Sequence, residues 1–528
     1  MQTLTTLAIV ATLWFAAGAD SIRRGTTRCA PATPGAPFAG VSAGVAQRPA
    51  TAWDERRIDL PIVGPSMAYV PHVPTTRVVL FISGDGGWNL GVVDMARRIA
   101  RTAIVIGISF PKLSRAAVAQ GGCWYPAGDL ETLSHAAQKR LGLTEYHAPA
   151  LVGYSSGATL VYAALAAAPP TTFAGGVSLG FCADLDVARP VCRSAGWSPT
   201  YDAKKHLTWL PAVKGLARPW YALHGKQDQV CSPEQTRAFV RGIANAHLVE
   251  LDGTGHGFGK PVHWGAPFDD SLEAIWKANI PEAQPKPAPA TLAQTEERLA
   301  SLGLPLEYRW PRAEASAWVV FFSGDGGWAS LDEAVAEDLT RHDIAVVGVS
   351  SLRYFWRQKP PAQVAADVRR LVSAVGRPVF LGGYSFGAEV IPVALRTWPP
   401  AERSTIAGLV LVAPGPSAGF EIDPLDWLRT PAEDPATRVA PAVQDLRLPT
   451  LCIMGTEDTG SACRGLPTVS VFHVARLPGS HHFDGNYTSV GDTISLFVRE
   501  QLAASRRQST IAMRPSDRRT VGPSDFRQ

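Results

Sequence analysis

The sequence predicts two tandem α/β domains, each a mostly parallel sheet with helices on both faces. Three observations predict this: a length of 528 residues, an internal repeat, and strand-like runs separated by helix-periodic ones in each copy. A chain this long exceeds one ordinary core. The repeat supplies the division. Residues 78–88 read VVLFISGDGGW and 319–328 read VVFFSGDGGW; 151–158 read LVGYSSGA and 381–388 read LGGYSFGA. Further on, HGKQD at 224–228 matches MGTED at 454–458, and GHGF at 255–258 matches SHHF at 480–483. The order is the same in both, and the offset drifts only from 240 at Ser83/Ser323 to 225 at His256/His481, the signature of a duplication.

Within the second copy, 319–322, 344–349, 378–382, 408–412 and 449–454 are β-rich, while 331–341, 363–375 and 386–396 have helical spacing. Strands separated by helices pair in parallel. Pro392 lies beyond the first turn of its helix and predicts a kink. Two Pro-rich stretches, 20–50 and 281–290, read as linkers. They bracket a first domain at 51–280 and a second at 291–504. Residues 1–19 have the apolar run and the small Ala17-Gly18-Ala19 site of a signal peptide, although no Lys or Arg precedes the run and Arg23 and Arg24 follow it, which leaves an uncleaved anchor open. The Arg- and Ser-rich tail, 505–528, reads as disordered.

A net charge of +4 with no basic block argues against nucleic-acid binding. Seven cysteines suit an exported protein. Proximity suggests Cys452 with Cys463 and Cys182 with Cys192, leaving Cys123 and Cys231 to pair; four cysteines in the first domain allow three connectivities. Buried free thiols are the other reading. No CxxC and no His/Cys cluster with zinc spacing occurs, so neither metal nor cofactor is expected.

The chemistry starts at G-x-S-x-G, in which a serine occupies a sharp strand-to-helix turn and glycines keep side chains out of the bend. The pattern alone is weak, because it matches at Ser42, Ser155, Ser178, Ser385 and Ser417. Only Ser155 and Ser385 have a strand before and a helix after. These two are the candidate nucleophiles, Ser385 the stronger, since a duplicated domain can lose activity. The glycine run after the first clear strand offers oxyanion-hole amides at Gly86 and Gly87 and at Gly326 and Gly327, with Ser156 and Phe386 supplying the amide after each nucleophile. A structural turn with the tryptophan packed beneath it is the plainer reading of that run. Asp228 and Asp458 follow late strands and precede a histidine, as the acid of a Ser-His-Asp relay does. Glu457 competes with Asp458. His256 is unambiguous, whereas His481 and His482 compete; aligning the phenylalanines selects His481.

Taken together, SGDGGW, GGYSFGAEV, the stretch from MGTED to Cys463 and PGSHHFDGNY resemble the AcvB/VirJ family of bacterial virulence proteins. The VirJ-like part covers about 300–500, and the two-domain arrangement, with GFCAD at 180–184, is similar to AcvB over most of the chain. The resemblance implies two α/β-hydrolase domains and a periplasmic serine hydrolase acting on lysyl-phosphatidylglycerol, an aminoacylated phospholipid at the membrane surface. It also implies a link to type IV secretion, so a hydrolase fold used as an interaction scaffold is the second reading, and an esterase for another acyl group a third. Glu389 stands where relatives are expected to carry Asp. A dicationic lysyl group would suit acids near the pocket, with Asp325 and Glu389 the substrate-binding candidates.

Overall fold

The computed structural model describes residues 52–120, 122–194, 196–278, 288–312, 314–422 and 434–512. The expected signal peptide and first linker, Cys29, and most of the second linker lie outside the described residues.

The first sheet contains β1 (Trp53–Leu60), β2 (Gly64–Pro71), β3 (Val78–Ile82), β4 (Ile104–Ile108), β5 (Ala150–Tyr154) and β6 (Gly175–Leu179). Three short strands, β7 (Asp184–Asp186), β8 (Thr200–Asp202) and β9 (Leu207–Trp209), form a separate antiparallel sheet before the chain returns through β10 (Gly215–Gly225) and β11 (Ala244–Leu251). Helices α1 (Leu90–Ile99), α2 (Phe110–Gln120), α3 (Pro126–Arg140), α4 (Ser156–Ala167), α5 (Pro233–Arg241) and α6 (Pro261–Lys277) connect them. The second sheet contains β12 (Leu306–Arg309), β13 (Ala317–Phe322), β14 (Ile344–Val349), β15 (Val379–Tyr384), β16 (Ile406–Val412), β17 (Thr450–Gly455) and β18 (Phe472–Leu477). Around it run α7 (Ala293–Ala300), α8 (Ser330–Arg341), α9 (Ser351–Tyr354), α10 (Pro361–Val375), α11 (Phe386–Leu395), α12 (Val439–Leu446) and α13 (Tyr487–Ala512).

The strand orders are β1-β2-β4-β3-β5-β6-β10-β11 and β12-β14-β13-β15-β16-β17-β18. Removing β1 makes them the same path. In both, an antiparallel strand leads into a parallel set. The parallel strands β3, β4, β13 and β14 are buried along their whole length. Helices cover both faces, so every residue of these strands must be apolar or small. Separate apolar clusters fill the two faces of each sheet. At about 1.5–3 kcal/mol per buried large side chain, these layers supply the main favourable energy of folding.

The repeated tryptophan has a packing role. A β-carbon on Gly107 would collide with the ring of Trp88, and one on Gly348 with the ring of Trp328. Each indole thus lies on a glycine of the neighbouring strand and holds the loop before it against the sheet.

Two expectations are corrected. First, the chain does not become irregular at residue 505, because α13 continues to Ala512. Residues 502–508, LAASRRQ, are good helix formers that extend a helix already docked on the sheet. Second, the first-domain cysteines pair crosswise, Cys123 with Cys192 and Cys182 with Cys231, rather than Cys182 with its near neighbour Cys192. The backbone bridge between Trp124 and Val191 brings Cys123 beside Cys192, and strand β10 delivers Cys231 to the loop after β6. Cys452 pairs with Cys463 as proximity suggests. Three disulfides indicate an oxidising compartment. Among the described residues, no helix is long and apolar enough to cross a membrane.

The two sheets' layers meet through α3. Trp356, buried beside α9, meets the ring of His135 edge-on and that of Tyr146 at a tilt, and donates through its indole N–H to the carbonyl of Leu143 at 3.0 Å. Lys139 lies over the same ring at 4.8 Å, donates to the Trp356 carbonyl and pairs with Glu421 at 2.7 Å.

Candidate active site

Both elbows have the geometry that G-x-S-x-G demands. Ser155 sits at φ 55°, ψ −122° between β5 and α4, and Ser385 at φ 50°, ψ −118° between β15 and α11. Such a conformation is strained for a side-chain-bearing residue and survives only where packing enforces it. The flanking glycines allow that packing. A β-carbon on Gly157 would collide with the carbonyl of Ile82, and one on Gly387 with that of Phe322. In each case the helix start is pressed against the end of the neighbouring strand.

At the first elbow, His256 donates from Nδ1 to Asp228 Oδ2 at 2.8 Å and accepts at Nε2 from the Ser155 hydroxyl at 3.0 Å. At the second, His481 donates from Nδ1 to Asp458 Oδ2 at 3.2 Å and accepts from the Ser385 hydroxyl at 2.9 Å. His482 stands apart from the serine. Its Nδ1 accepts from the Tyr384 hydroxyl at 2.6 Å, and burial followed by the neighbouring His481 holds its pKa below the usual value. Tyr384 is itself held well above its ordinary pKa, by burial first, so it keeps the proton it donates. Asp228, Cys231 and His256 come close enough together for a metal. However, Cys231 is disulfide-bonded and the other two are committed to Ser155, so the donor set does not fit an ion.

The oxyanion candidates divide. Ser156 and Phe386 are the first residues of α4 and α11, so their N–H groups have no acceptor one turn earlier in the helix. By contrast, the amides of Gly87 and Gly327 are spent, donating to the carbonyls of Gly84 and Gly324 at 3.0 and 3.1 Å. These bonds close the loop into a turn, so these two glycines are turn formers rather than oxyanion donors. The stretch nearest the nucleophile begins earlier: a β-carbon on Gly84 would stand 3.0 Å from that of Ser155, and one on Gly324 3.9 Å from that of Ser385. Asp85, Gly86, Asp325 and Gly326 remain between that point and the turn.

Asp325 and Glu389 lie at the second site with a third acid that sequence reasoning missed. A β-carbon on Gly326 would lie 3.5 Å from the carboxylate of Glu131, which comes from α3 of the first domain. Burial, and then the charge of Asp325, pushes Glu131 up to about 8. Glu389 rises to about 7, chiefly through burial; the Gly415 amide, donating at 2.9 Å, opposes this and Asp325 adds to it. No local pattern marks Glu131, because its neighbours are far away in the chain. Its place on the α3 face that touches the second domain is a tertiary fact.

The chain was also compared with known proteins. Over 43% of its length it is similar to an α/β serine hydrolase without a lid from Xanthomonas campestris, at 18% identity, 95% coverage of that chain and a TM-score of 0.28. It is likewise similar over 43% to a cold-adapted esterase from an Arctic intertidal metagenomic library, at 15% identity, 96% coverage and a TM-score of 0.31. A third neighbour is an α/β serine hydrolase homologue from Coxiella burnetii, at 17% identity, 43% and 97% coverage and a TM-score of 0.27. With scores this low, the fold assignment rests on the chain's own strand order and elbows. A search of curated proteins found no significant sequence match. Residues 316–501, most of the domain built on the second sheet, match the sequence model of a family described as bacterial virulence protein VirJ.

Proposed function

We propose that this protein is an exported serine esterase whose second-domain site removes the aminoacyl group from aminoacyl-phosphatidylglycerol, with lysyl-phosphatidylglycerol the preferred substrate. The observation that carries the reading is the Ser385–His481–Asp458 relay beside three acids, Asp325, Glu389 and Glu131. Burial holds the carboxyls of Glu131 and Glu389 well above the usual range, and a substrate ammonium placed beside them would favour their charged forms. The three disulfides suit a protein working outside the cytosol, and a periplasmic setting gives it access to the lipid surface.

Ser385 Oγ attacks the lysyl carbonyl carbon while its proton passes to His481 Nε2. Asp458 holds the imidazolium through Nδ1. The oxyanion faces the Phe386 amide and the backbone between Gly324 and Gly327. Collapse expels the glycerol oxygen of phosphatidylglycerol, which takes the proton from His481. Water then attacks the lysyl-serine ester, gives its proton to His481, and lysine leaves as Ser385 is restored. An aminoacyl ester is an activated substrate, and a serine, a histidine and an oxyanion hole suffice.

The test is incubation of pure protein with vesicles containing lysyl-phosphatidylglycerol. Wild type should release lysine and phosphatidylglycerol, and Ser385→Ala should fall by at least about a thousandfold. A folded Ser385→Ala protein that still released lysine at the wild-type rate would sink the reading. If neither serine of the folded protein reacted with a fluorophosphonate, the scaffold role would be favoured.

A further inference from the structure

The first domain holds a second complete relay in different surroundings. We propose that Ser155 is the nucleophile of an independent hydrolytic site, selective for carboxylic esters whose acyl group carries no positive charge. This goes beyond the reading for Ser385 and does not depend on it.

The geometry is that of a working site. Ser155, His256 and Asp228 are linked at 3.0 and 2.8 Å, and the elbow strain at Ser155 matches that at Ser385. A duplicated domain that had lost its chemistry would have no need to keep a strained serine, a histidine in reach of it and a buried acid behind them. The acid is also well supported. Asp228 Oδ1 accepts from the amides of Val230 and Cys231, both at 2.9 Å, and the Cys182–Cys231 disulfide ties that loop to the end of β6.

Charge selection follows from what replaces the acids of the other site. Thr159 stands at the position of Glu389, and its hydroxyl donates to the carbonyl of Cys182 at 2.9 Å. Ser156 stands at the position of Phe386 and donates to Asp85, the counterpart of Asp325. Asp85 is exposed, so water and salt screen it from a ligand at the site. Val230, two residues after the acid, is 68% exposed and offers an apolar side chain on the acid loop.

In the reaction, Ser155 Oγ adds to the ester carbonyl and its proton goes to His256 Nε2. The alcohol leaves with that proton, and water releases the acyl group as a carboxylic acid, returning the proton through His256. No co-reactant besides water is required.

The experiment uses the full-length, disulfide-bonded protein. A fluorophosphonate applied to Ser385→Ala should give a single adduct, mapped to Ser155. By pH-stat, Ser385→Ala should keep ethyl butyrate hydrolysis within about twofold of wild type and lose at least roughly a hundredfold on lysine ethyl ester, while Ser155→Ala should do the reverse. Absence of a Ser155 adduct in Ser385→Ala protein with native near-ultraviolet circular dichroism overturns the proposal. So does lysine ester cleavage by Ser385→Ala equal to its cleavage of ethyl butyrate. The labelling arm needs no change at Ser155, so a poorly folded Ser155→Ala protein does not weaken it. If wild type ignores lysine ethyl ester while Ser155 is labelled and ethyl butyrate is cleaved, the Ser385 reading fails and this one stands.

Discussion

The Asp228 side chain is fully shielded from solvent, and that of His256 in front of it is 15% exposed; the side chain of Asp458 is 11% exposed and that of His481 36%. The first acid receives two loop amides at 2.9 Å, whereas Asp458 receives the Gly460 amide at 3.2 Å. The same relay is therefore enclosed and braced by two amides in one copy, and more open and braced by one in the other. The open copy is the one beside which the other domain places a side chain, Glu131. The two copies of the site are therefore not equivalent: one is enclosed, and the other has Glu131 of the neighbouring domain beside it.

The largest effects test whether the two relays work alike. Asp458→Asn, in a Ser155→Ala background, should lower kcat on lysine ethyl ester about ten-thousand-fold, and Asp228→Asn in a Ser385→Ala background should do the same on ethyl butyrate. If only one copy responds, the shared bonds do not mean shared chemistry. Next come the disulfides that brace the acid loops. In the chain-entropy account, losing the Cys452–Cys463 bridge, 11 residues apart, should cost about 3 kcal/mol, and losing Cys182–Cys231, 49 apart, about 4 kcal/mol. Guanidinium unfolding of the paired Cys→Ser variants measures both; equal losses would argue that loop length is not what matters.

Smaller effects test the side chain from the neighbouring domain. Glu131→Gln should raise KM for lysine ethyl ester about tenfold with little change in kcat, and leave ethyl butyrate untouched. With Glu131 near 8 and Glu389 near 7, both carboxyls take up protons as pH falls through that range, so wild-type KM for the cationic ester should rise from pH 8.5 to 6.5. The slope should flatten in Glu131→Gln. The smallest concerns α8. Asp332 is buried where the first copy has Val92, and burial pushes its pKa up to about 7. The folded state then holds this proton more tightly than the unfolded chain, so the contribution to stability is full below pH 4 and is lost as pH rises through 7. Asp332→Asn should remove that slope in thermal melts.

The elbow serines, the acids and the histidines were legible because each belongs to a local pattern whose order along the chain is set by the fold. His481 could be told from His482 by aligning Phe483 with Phe258. The glycine run was legible as a loop but not in its detail. Which amides remain for an oxyanion depends on the turn that Gly87 and Gly327 close, and spacing does not reveal that. Cysteine proximity misled in the first domain, since β-strand order rather than chain distance brings Cys182 to Cys231. Glu131 was out of reach, because no pattern within either repeat encodes a contact between repeats.

The crosswise pairing in the first domain bears on how the protein is made. Its four cysteines leave the ribosome in the order Cys123, Cys182, Cys192, Cys231, and neither native bridge joins neighbours in that order. Of these four, Cys123 and Cys182 emerge first, and a bond formed between them in that order would join the wrong partners. Reaching the native set therefore requires that strand assembly outrun oxidation, or that early bonds be exchanged by a thiol–disulfide isomerase. Yield of active protein should thus depend on the reshuffling capacity of the host as well as on its oxidising power.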